Sequence, residues 1–159
     1  DLWTMLNKQV QAGKVRYLGI SIGQPSQLYQ VDRATALGVS VIQTIYNAIN
    51  NKAAETVLPS CQRQDLGVLS LVPVASVFLS GKYQPDAQFP VNDVRAERKP
   101  EVNQQQITQA LAVLENVPAN VEPASWACAW CLQHPAISSV IPGIKTIEQL
   151  QINAAGADL

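Results

Sequence analysis

The feature that most constrains the fold is a regular alternation of short β-branched runs with helical stretches. Four runs have the length and composition of β-strands, and they cover residues 15–20, 39–43, 67–72 and 137–141. Because helical stretches separate these runs, the pattern predicts right-handed β-α-β units and a parallel sheet. The sequence therefore predicts an α/β fold, and its length favours one domain over residues 1–159.

Glycine and proline mark the predicted boundaries of these elements. We predict turns from helix to strand at Gly13, Gly38 and Gly67, since glycine is favoured just past a helix C-terminus. Pro59 is expected to end or kink its helix. The predicted helices cover 25–38, 52–64, 107–114, 123–132 and a last stretch that begins with a capping-box pattern at Thr146. A long exposed loop, rich in Pro, Asp and Arg, is predicted over 84–100.

The composition excludes several classes of protein. With 47% hydrophobic and 14% charged residues, the 159-residue chain can bury a core and is not expected to be disordered. A formal net charge of −1 provides no basic surface for nucleic acid, which we do not expect as a partner. No apolar run approaches the roughly 18 residues of a membrane span, and three cysteines provide no disulfide framework. These features predict a cytoplasmic protein without membrane contact.

Three short motifs favour structural roles over chemical ones. Cys128 and Cys131 have the spacing of a redox pair, but their helix begins several residues earlier, so we interpret them as core residues. No metal site is expected, because a second cysteine pair is absent from the sequence. His134, the only histidine, is interpreted as a surface residue at a helix end. The segment 80–83 lacks the residues that a P-loop requires.

The most informative segment joins the last predicted strand to the last predicted helix. It contains Gly143, Lys145 and Thr146. Backbone N–H groups at a helix N-terminus, beside a lysine and a hydroxyl, are typical of phosphate sites, which commonly follow the last strands of β/α barrels. An ordinary turn with a good helix cap explains the same residues, so both interpretations remain open.

Four longer motifs, at 13–21, 41–47, 79–83 and 139–150, together resemble the C-terminal half of the aldo-keto reductase family. The resemblance implies an α/β half-barrel of about four β/α units, half of a TIM barrel, with strands that are similar to the fifth to eighth of the family. Family members reduce carbonyl compounds with NADPH or sometimes NADH. Their catalytic Asp, Tyr, Lys and His come from the first four strands, and no residue of this chain matches them.

The resemblance also implies a cofactor site. Ser21 and Gln43 match residues that hold the nicotinamide carboxamide, Lys145 and Thr146 match contacts to the 2′-phosphate and adenosine, and Asn153 matches an adenine contact. The complete set of implied cofactor-binding residues is Ser21, Gln43, Pro73, Gly143, Lys145, Thr146, Gln149 and Asn153.

The nicotinamide end departs from the family pattern. Ile22 or Gly23 stands in place of an asparagine, Leu71 in place of the usual stacking ring, and Ile152 in place of a glutamate. Each lost hydrogen bond weakens binding by about 0.5–1.5 kcal/mol, and the lost ring by a similar amount. We therefore expect at most weak NADP(H) binding.

Three functions compete at this point. The chain could be a non-catalytic half-barrel that binds a ligand or itself, or the cofactor-binding part of a reductase completed by a missing N-terminal half. A third possibility, an autonomous reductase, would need Tyr46 as the proton donor, although a structural role for Tyr46 is favoured.

Four strands cannot close into a barrel. We expect Leu18, Ile20, Val140 and Pro142 to lie at open edges beside a partly uncovered apolar inner face. Two-fold pairing is the commonest way to cover such a face, so a homodimer is predicted.

Overall fold

A single parallel sheet forms the centre of the computed structural model, which describes the backbone of residues 1–159 and every side chain except that of Pro25. Its strands follow one another in space as they do in sequence, which confirms the predicted α/β fold with four parallel strands. The strands are β1 (Leu18–Ile22), β2 (Val39–Ile45), β3 (Gly67–Leu71) and β4 (Ser139–Ile141). The first strand begins and ends later than predicted, β2 ends later, β3 ends one residue earlier and β4 begins later.

Six α-helices connect and flank the strands. They are α1 (Leu2–Gln11), α2 (Leu28–Asp32), α3 (Val57–Arg63), α4 (Pro100–Leu114), α5 (Pro123–Leu132) and α6 (Ile147–Ala155). Both α4 and α5 begin with a proline, which is suited to the first helical position because its missing N–H has no intrahelical acceptor there.

The predicted helix over 25–38 is interrupted. It consists of a 3-10 turn at Pro25–Gln27, the short α2, and a second 3-10 turn at Thr35–Leu37. The side chain of Gln64 lies at the interruption, where it donates to the Val31 carbonyl (2.8 Å) and accepts from the Thr35 N–H (3.3 Å). A tertiary hydrogen bond thus replaces part of the helical ladder, which local sequence could not show.

The interruption predicted from Pro59 is present, within the turn that precedes the proline. The stretch over 52–64 is divided into a 3-10 turn, Lys52–Glu55, and α3, but the break lies at Thr56, whose φ is −134°. Pro59 is the third residue of α3, inside the first turn, where its missing N–H costs no hydrogen bond.

Two of the three predicted glycine turns are correct. Gly13 (φ 70°) and Gly38 (φ 78°) have the left-handed conformation that glycine adopts without steric cost. At the third junction Asp65 (φ 55°) is left-handed instead, and Gly67 is the first residue of β3. Aspartate tolerates this conformation because its short side chain is polar, so the turn needs no glycine.

Helices cover one face of the sheet. Ile22, Ile42 and Val68 are buried there, in the larger of two hydrophobic clusters. A second cluster, built on Phe78, lies under the long connection between β3 and α5. Burial on this scale is the main stabilising contribution to the fold.

The position of the predicted edge residues needs correction. Leu18, Ile20 and Val140 pack against the helix-covered core instead of lying beside the open inner face. Because side chains alternate along a strand, the open face carries their neighbours, such as Gly19 and Ser21.

The connection over 84–99 is only in part an exposed loop. Val91 is 97% exposed, as predicted. Phe89, in contrast, packs on Phe78 and Tyr83, and the Arg95 guanidinium lies over the rings of Tyr83 (4.7 Å) and Phe89 (4.4 Å). These contacts anchor the middle of the segment to the second cluster.

Among the described residues, no helix is both long enough and apolar enough to cross a membrane.

Candidate functional site

Ser21 and Gln43 meet on the open face of the sheet. They are register partners on β1 and β2, and the Gln43 side-chain amide donates to the Ser21 hydroxyl at 3.1 Å. Parallel register continues this row through Leu69 on β3 to Ser139 on β4. The hydrogen bond leaves the Gln43 carbonyl oxygen free to accept a bond from an amide donor.

The second part of the site is the beginning of α6. Thr146 is the N-cap, and its hydroxyl accepts from the Gln149 N–H at 3.2 Å. The side-chain oxygen of Gln149, Oε1, accepts from the Lys145 N–H at 2.8 Å, which is a capping box shifted by one residue toward the N-terminus. The backbone N–H groups of Thr146, Ile147 and Glu148 have no intrahelical acceptor, so they point toward any anion that approaches the helix end.

Two further predicted residues lie beside this helix end. The Asn153 side chain reaches back to the Gly143 carbonyl, at 3.5 Å, and Lys145 is exposed. A Cβ added to Gly143 would have no neighbour within 4 Å, so the approach to the helix end is sterically open. The structure thus brings together Gly143, Lys145, Thr146, Gln149 and Asn153.

Close packing against α5 fixes the position of α6. The Ser125 hydroxyl donates to the Ile152 carbonyl, and Gly156 lies directly against the backbone of Ser125 and the Cβ of Cys128. Since no side chain fits between the two helices at Gly156, the end of α6 lies as close to α5 as backbone contact permits.

Pro73 lies in a strained turn after β3. The proline is fully buried, and positive φ angles occur on both sides of it, at Val72 (58°) and at the consecutive residues Ala75, Ser76 and Val77. Such angles are costly for β-branched residues such as valine and are often found at ligand sites.

Sequence reasoning missed the charged residues that accompany this turn. Arg95 holds Asp93 through two side-chain hydrogen bonds of 2.8 and 2.6 Å and also donates to the Ser76 carbonyl. Hydrogen bonds from Arg95, with smaller contributions from its charge and that of Lys145, hold the pKa of Asp93 well below its ordinary value. Nothing local in the sequence places Asp93 near Lys145, because their proximity depends on how 84–99 folds back.

Tyr46 lies on the helix-covered side of the sheet. It is 5% exposed, its ring stacks on Trp130 at 5.1 Å between centroids, and the edge of His134 lies 5.6 Å away. Burial, reinforced by the charge of Cys131, raises the pKa of Tyr46. His134 lies just past the end of α5, as predicted, and is half-buried against Tyr46, which has a packing role.

The cysteines are core residues, as predicted. Cys61, Cys128 and Cys131 are free and buried, and burial raises the pKa of Cys128 to about 11 and that of Cys131 to about 12. Among the described residues, no group of three His, Cys, Asp or Glu side chains could hold a metal ion.

Comparison with known proteins decides the family. The model of the Aldo/keto reductase family matches residues 1–158. The chain belongs to the aldo/keto reductase family. Aldo-keto reductase yakc of Schizosaccharomyces pombe, whose name specifies NADP(+), is 26% identical over 155 residues, which are 93% of this chain and 45% of the relative. A probable voltage-gated potassium channel subunit beta of Arabidopsis thaliana is 27% identical over 169 residues, 97% of this chain and 50% of the relative.

Solved structures give the same fold. The apo form of aldo-keto reductase AKR11C1 from Bacillus halodurans matches with a TM-score of 0.72 at 22% identity, over 96% of this chain and 49% of that one. Its holo form matches with a TM-score of 0.70. This aldo/keto reductase chain thus spans about half the length of the relatives it matches, and its four-stranded sheet corresponds to about half of a TIM barrel.

Proposed function

We propose that this chain is the cofactor-binding half of an NADP(H)-dependent aldo-keto reductase, which binds NADP(H) weakly and reduces no carbonyl compound by itself. The observation that carries the proposal is the beginning of α6, where unpaired N–H groups, Lys145 and Asn153 converge beside β4.

The phosphate end is the stronger part of the proposed site. The N–H groups of Thr146 and Ile147 would donate to the 2′-phosphate, and the Lys145 ammonium would pair with it. Asn153 lies about two helical turns further along α6, where it would contact the adenine. Asp93 lies near enough to affect Lys145, but its carboxylate is already engaged by Arg95. A phosphate therefore fits the residues that are present.

The nicotinamide end is the weaker part. Ser21 and Gln43 are held together in the right row of the sheet to present one hydroxyl and one free carbonyl oxygen to a carboxamide. Leu71, in the next row, offers only an aliphatic surface for the ring. An aliphatic contact lacks the roughly 0.5–1.5 kcal/mol that an aromatic pair adds.

The open sheet face explains why reduction needs a second component. NADPH supplies a hydride to a carbonyl carbon, and the carbonyl oxygen must then receive a proton. The row that runs across the face consists of Ser21, Gln43, Leu69 and Ser139, which have no titratable side chain. In this proposal the acid comes from four further β/α units that complete the barrel.

Titration calorimetry with NADPH and with adenosine 2′,5′-bisphosphate tests the proposed site. We expect weak binding of both ligands, because the phosphate end makes most of the contacts. Lys145→Ala should weaken both by roughly tenfold, the lower end of the range for a charged hydrogen bond, since the lysine is exposed.

The matched control is Lys14→Ala, an exposed lysine at the opposite end of the sheet, which should bind like the unaltered chain. No binding at millimolar ligand, or equal affinity of the two lysine variants, would refute the proposal. Steady NADPH oxidation by the chain alone with a panel of aldehydes would refute its second part.

We also propose that the chain pairs with a second copy when no other half is present. Apolar side chains are exposed at both ends of the half-barrel, on α1 at Leu2 (61%) and on α6 at Ile147 (76%) and Leu150. A two-fold axis that runs along the barrel direction, in front of the open face, would place β4 of each copy beside β1 of the other, so that both edges pair and eight strands close.

Light scattering tests this pairing. A mass twice the 17.2 kDa of the chain is expected, and Leu150→Glu should return it to the monomer because it places a charge in the apolar contact. Val91→Glu, on the exposed loop, is the control and should remain dimeric. A monodisperse monomer at tens of micromolar concentration would exclude the dimer.

A further inference from the structure

A polar cleft lies at the C-terminal end of β2, apart from the helix end that forms the phosphate part of the site proposed above. It has a volume of about 420 Å³ and is bounded by the end of β2, the segment that follows it, and α4. One face of α4 lines it because Val102, Gln105, Gln106 and Gln109 recur at helical spacing. This volume is within the range of natural sites for small molecules.

Thr44 forms part of the floor of the cleft. It is 4% exposed, on the strand face that also carries Ile22 and Ser70. Its hydroxyl makes no hydrogen bond to another described residue, whereas the Ser70 hydroxyl donates to the Tyr46 carbonyl. The hydrogen-bond partner of Thr44 therefore comes from the cleft, either as water or as a polar ligand that replaces that water.

A second buried hydroxyl belongs to Thr56, which precedes a cleft-lining residue in the sequence. Thr56 Oγ1 is one of two side-chain atoms that are sealed without a partner in the described part of the chain, and the neighbouring residue Val57 lines the cleft. Thr44 is not sealed in this way, so its hydroxyl keeps contact with the cleft. The Thr44 hydroxyl is therefore accessible to a ligand in the cleft.

Side-chain amides dominate the rim. Asn50, Asn51, Gln105 and Gln109 are exposed there, and each presents both donors and an acceptor. Among the described residues that line the cleft, Lys52 alone has a charged side chain. Amides match hydroxyl groups, because both kinds of group donate and accept hydrogen bonds. A lining with a single lysine and no aromatic ring does not favour a nucleotide.

We propose that this cleft binds a small uncharged polyhydroxy compound, of about the size of a hexitol. Its hydroxyl groups bond Thr44 and the amides of α4, and its C–H surface contacts the aliphatic side chains of Ile45 and Ile49. The inference does not depend on the phosphate end of the proposed cofactor site, because none of these contacts involves α6.

Sorbitol is the probe, titrated into the ¹⁵N-labelled chain while backbone amide shifts are followed. Saturable shifts are expected near Thr44, Asn50 and Gln109. Thr44→Val should weaken binding roughly two- to tenfold, the effect of one net hydrogen bond. The same variant should unfold at an unchanged or higher temperature, because an isosteric apolar group replaces an unpaired hydroxyl.

Thr4→Val, the same change at an exposed position on α1, should leave binding unchanged. Gluconate separates hydroxyl recognition from charge, and it should bind no more tightly than sorbitol. Tighter gluconate binding that disappears in Lys52→Gln would overturn the proposal in favour of an anion site. Equal binding by Thr44→Val, shifts across the whole chain, or no saturable shift would also overturn it.

Discussion

Replacing Gly156 with alanine should separate α6 from α5 and so disturb the proposed phosphate site. A Cβ at this position would lie 2.5 Å from the Ser125 carbonyl oxygen and 2.8 Å from the Cys128 Cβ. Ordinary contact begins at 3.4 Å, so the backbone must open by 0.9 Å, the difference between 3.4 and 2.5 Å. Neither neighbour is the end of a flexible side chain, and α6 itself must therefore move.

The magnitude follows from two opposing effects. Overpacking of this kind costs about 1–3 kcal/mol, and alanine recovers about 0.4–1 kcal/mol by restricting the unfolded chain. The midpoints of these ranges leave a net loss of about 1.3 kcal/mol, which lowers the unfolding temperature of a domain of this size by roughly 3–5 °C. Thermal unfolding followed by circular dichroism measures it.

Gly143→Ala is the matched control for stability. Its Cβ would meet nothing within 4 Å, so it has the entropic gain without the clash and should unfold at the same temperature or slightly higher. If Gly156→Ala were as stable as the unaltered chain, or if both variants shifted equally, the argument from close packing would be wrong. Calorimetry should also show weaker NADPH binding by Gly156→Ala, since α6 carries Lys145.

Three other predictions concern the strained turn, the acid range and the thiols. Val77→Gly should be more stable than Val74→Gly by about 1–2 kcal/mol in urea unfolding, because only Val77 has a positive φ that glycine relieves. Arg95 lowers the pKa of Asp93 in the folded chain, so the ionised Asp93 stabilises the fold above the ordinary aspartate pKa of 3.8, and this stabilisation is lost as pH falls below it. Asp93→Asn should therefore flatten the dependence of stability on pH in this range. An unchanged dependence would refute the pairing of Asp93 with Arg95. Because burial raises the pKa of Cys131 to about 12, its thiol should react with a disulfide reagent at pH 8 only after unfolding, and rapid labelling of the folded chain would contradict its burial.

Local patterns in the sequence determined the elements and their order. β-Branched runs at strand length predicted β2, β3 and β4, and Thr146 with Gln149 predicted the beginning of α6. These features depend on backbone propensity and on hydrogen bonds between residues three or four apart, so neighbouring residues suffice to specify them.

The tertiary structure alone decided which side chains meet. Gln64 interrupts the helix at Val31, Arg95 folds back onto Ser76, and Thr44 reaches the floor of a cleft formed with α4. Each of these contacts joins residues far apart in the chain, whose proximity depends on how the helices pack on the sheet. The face on which Ser21 lies was likewise settled only when helix packing buried Ile22 and partly covered Ile20, because period-two alternation is the same for either face.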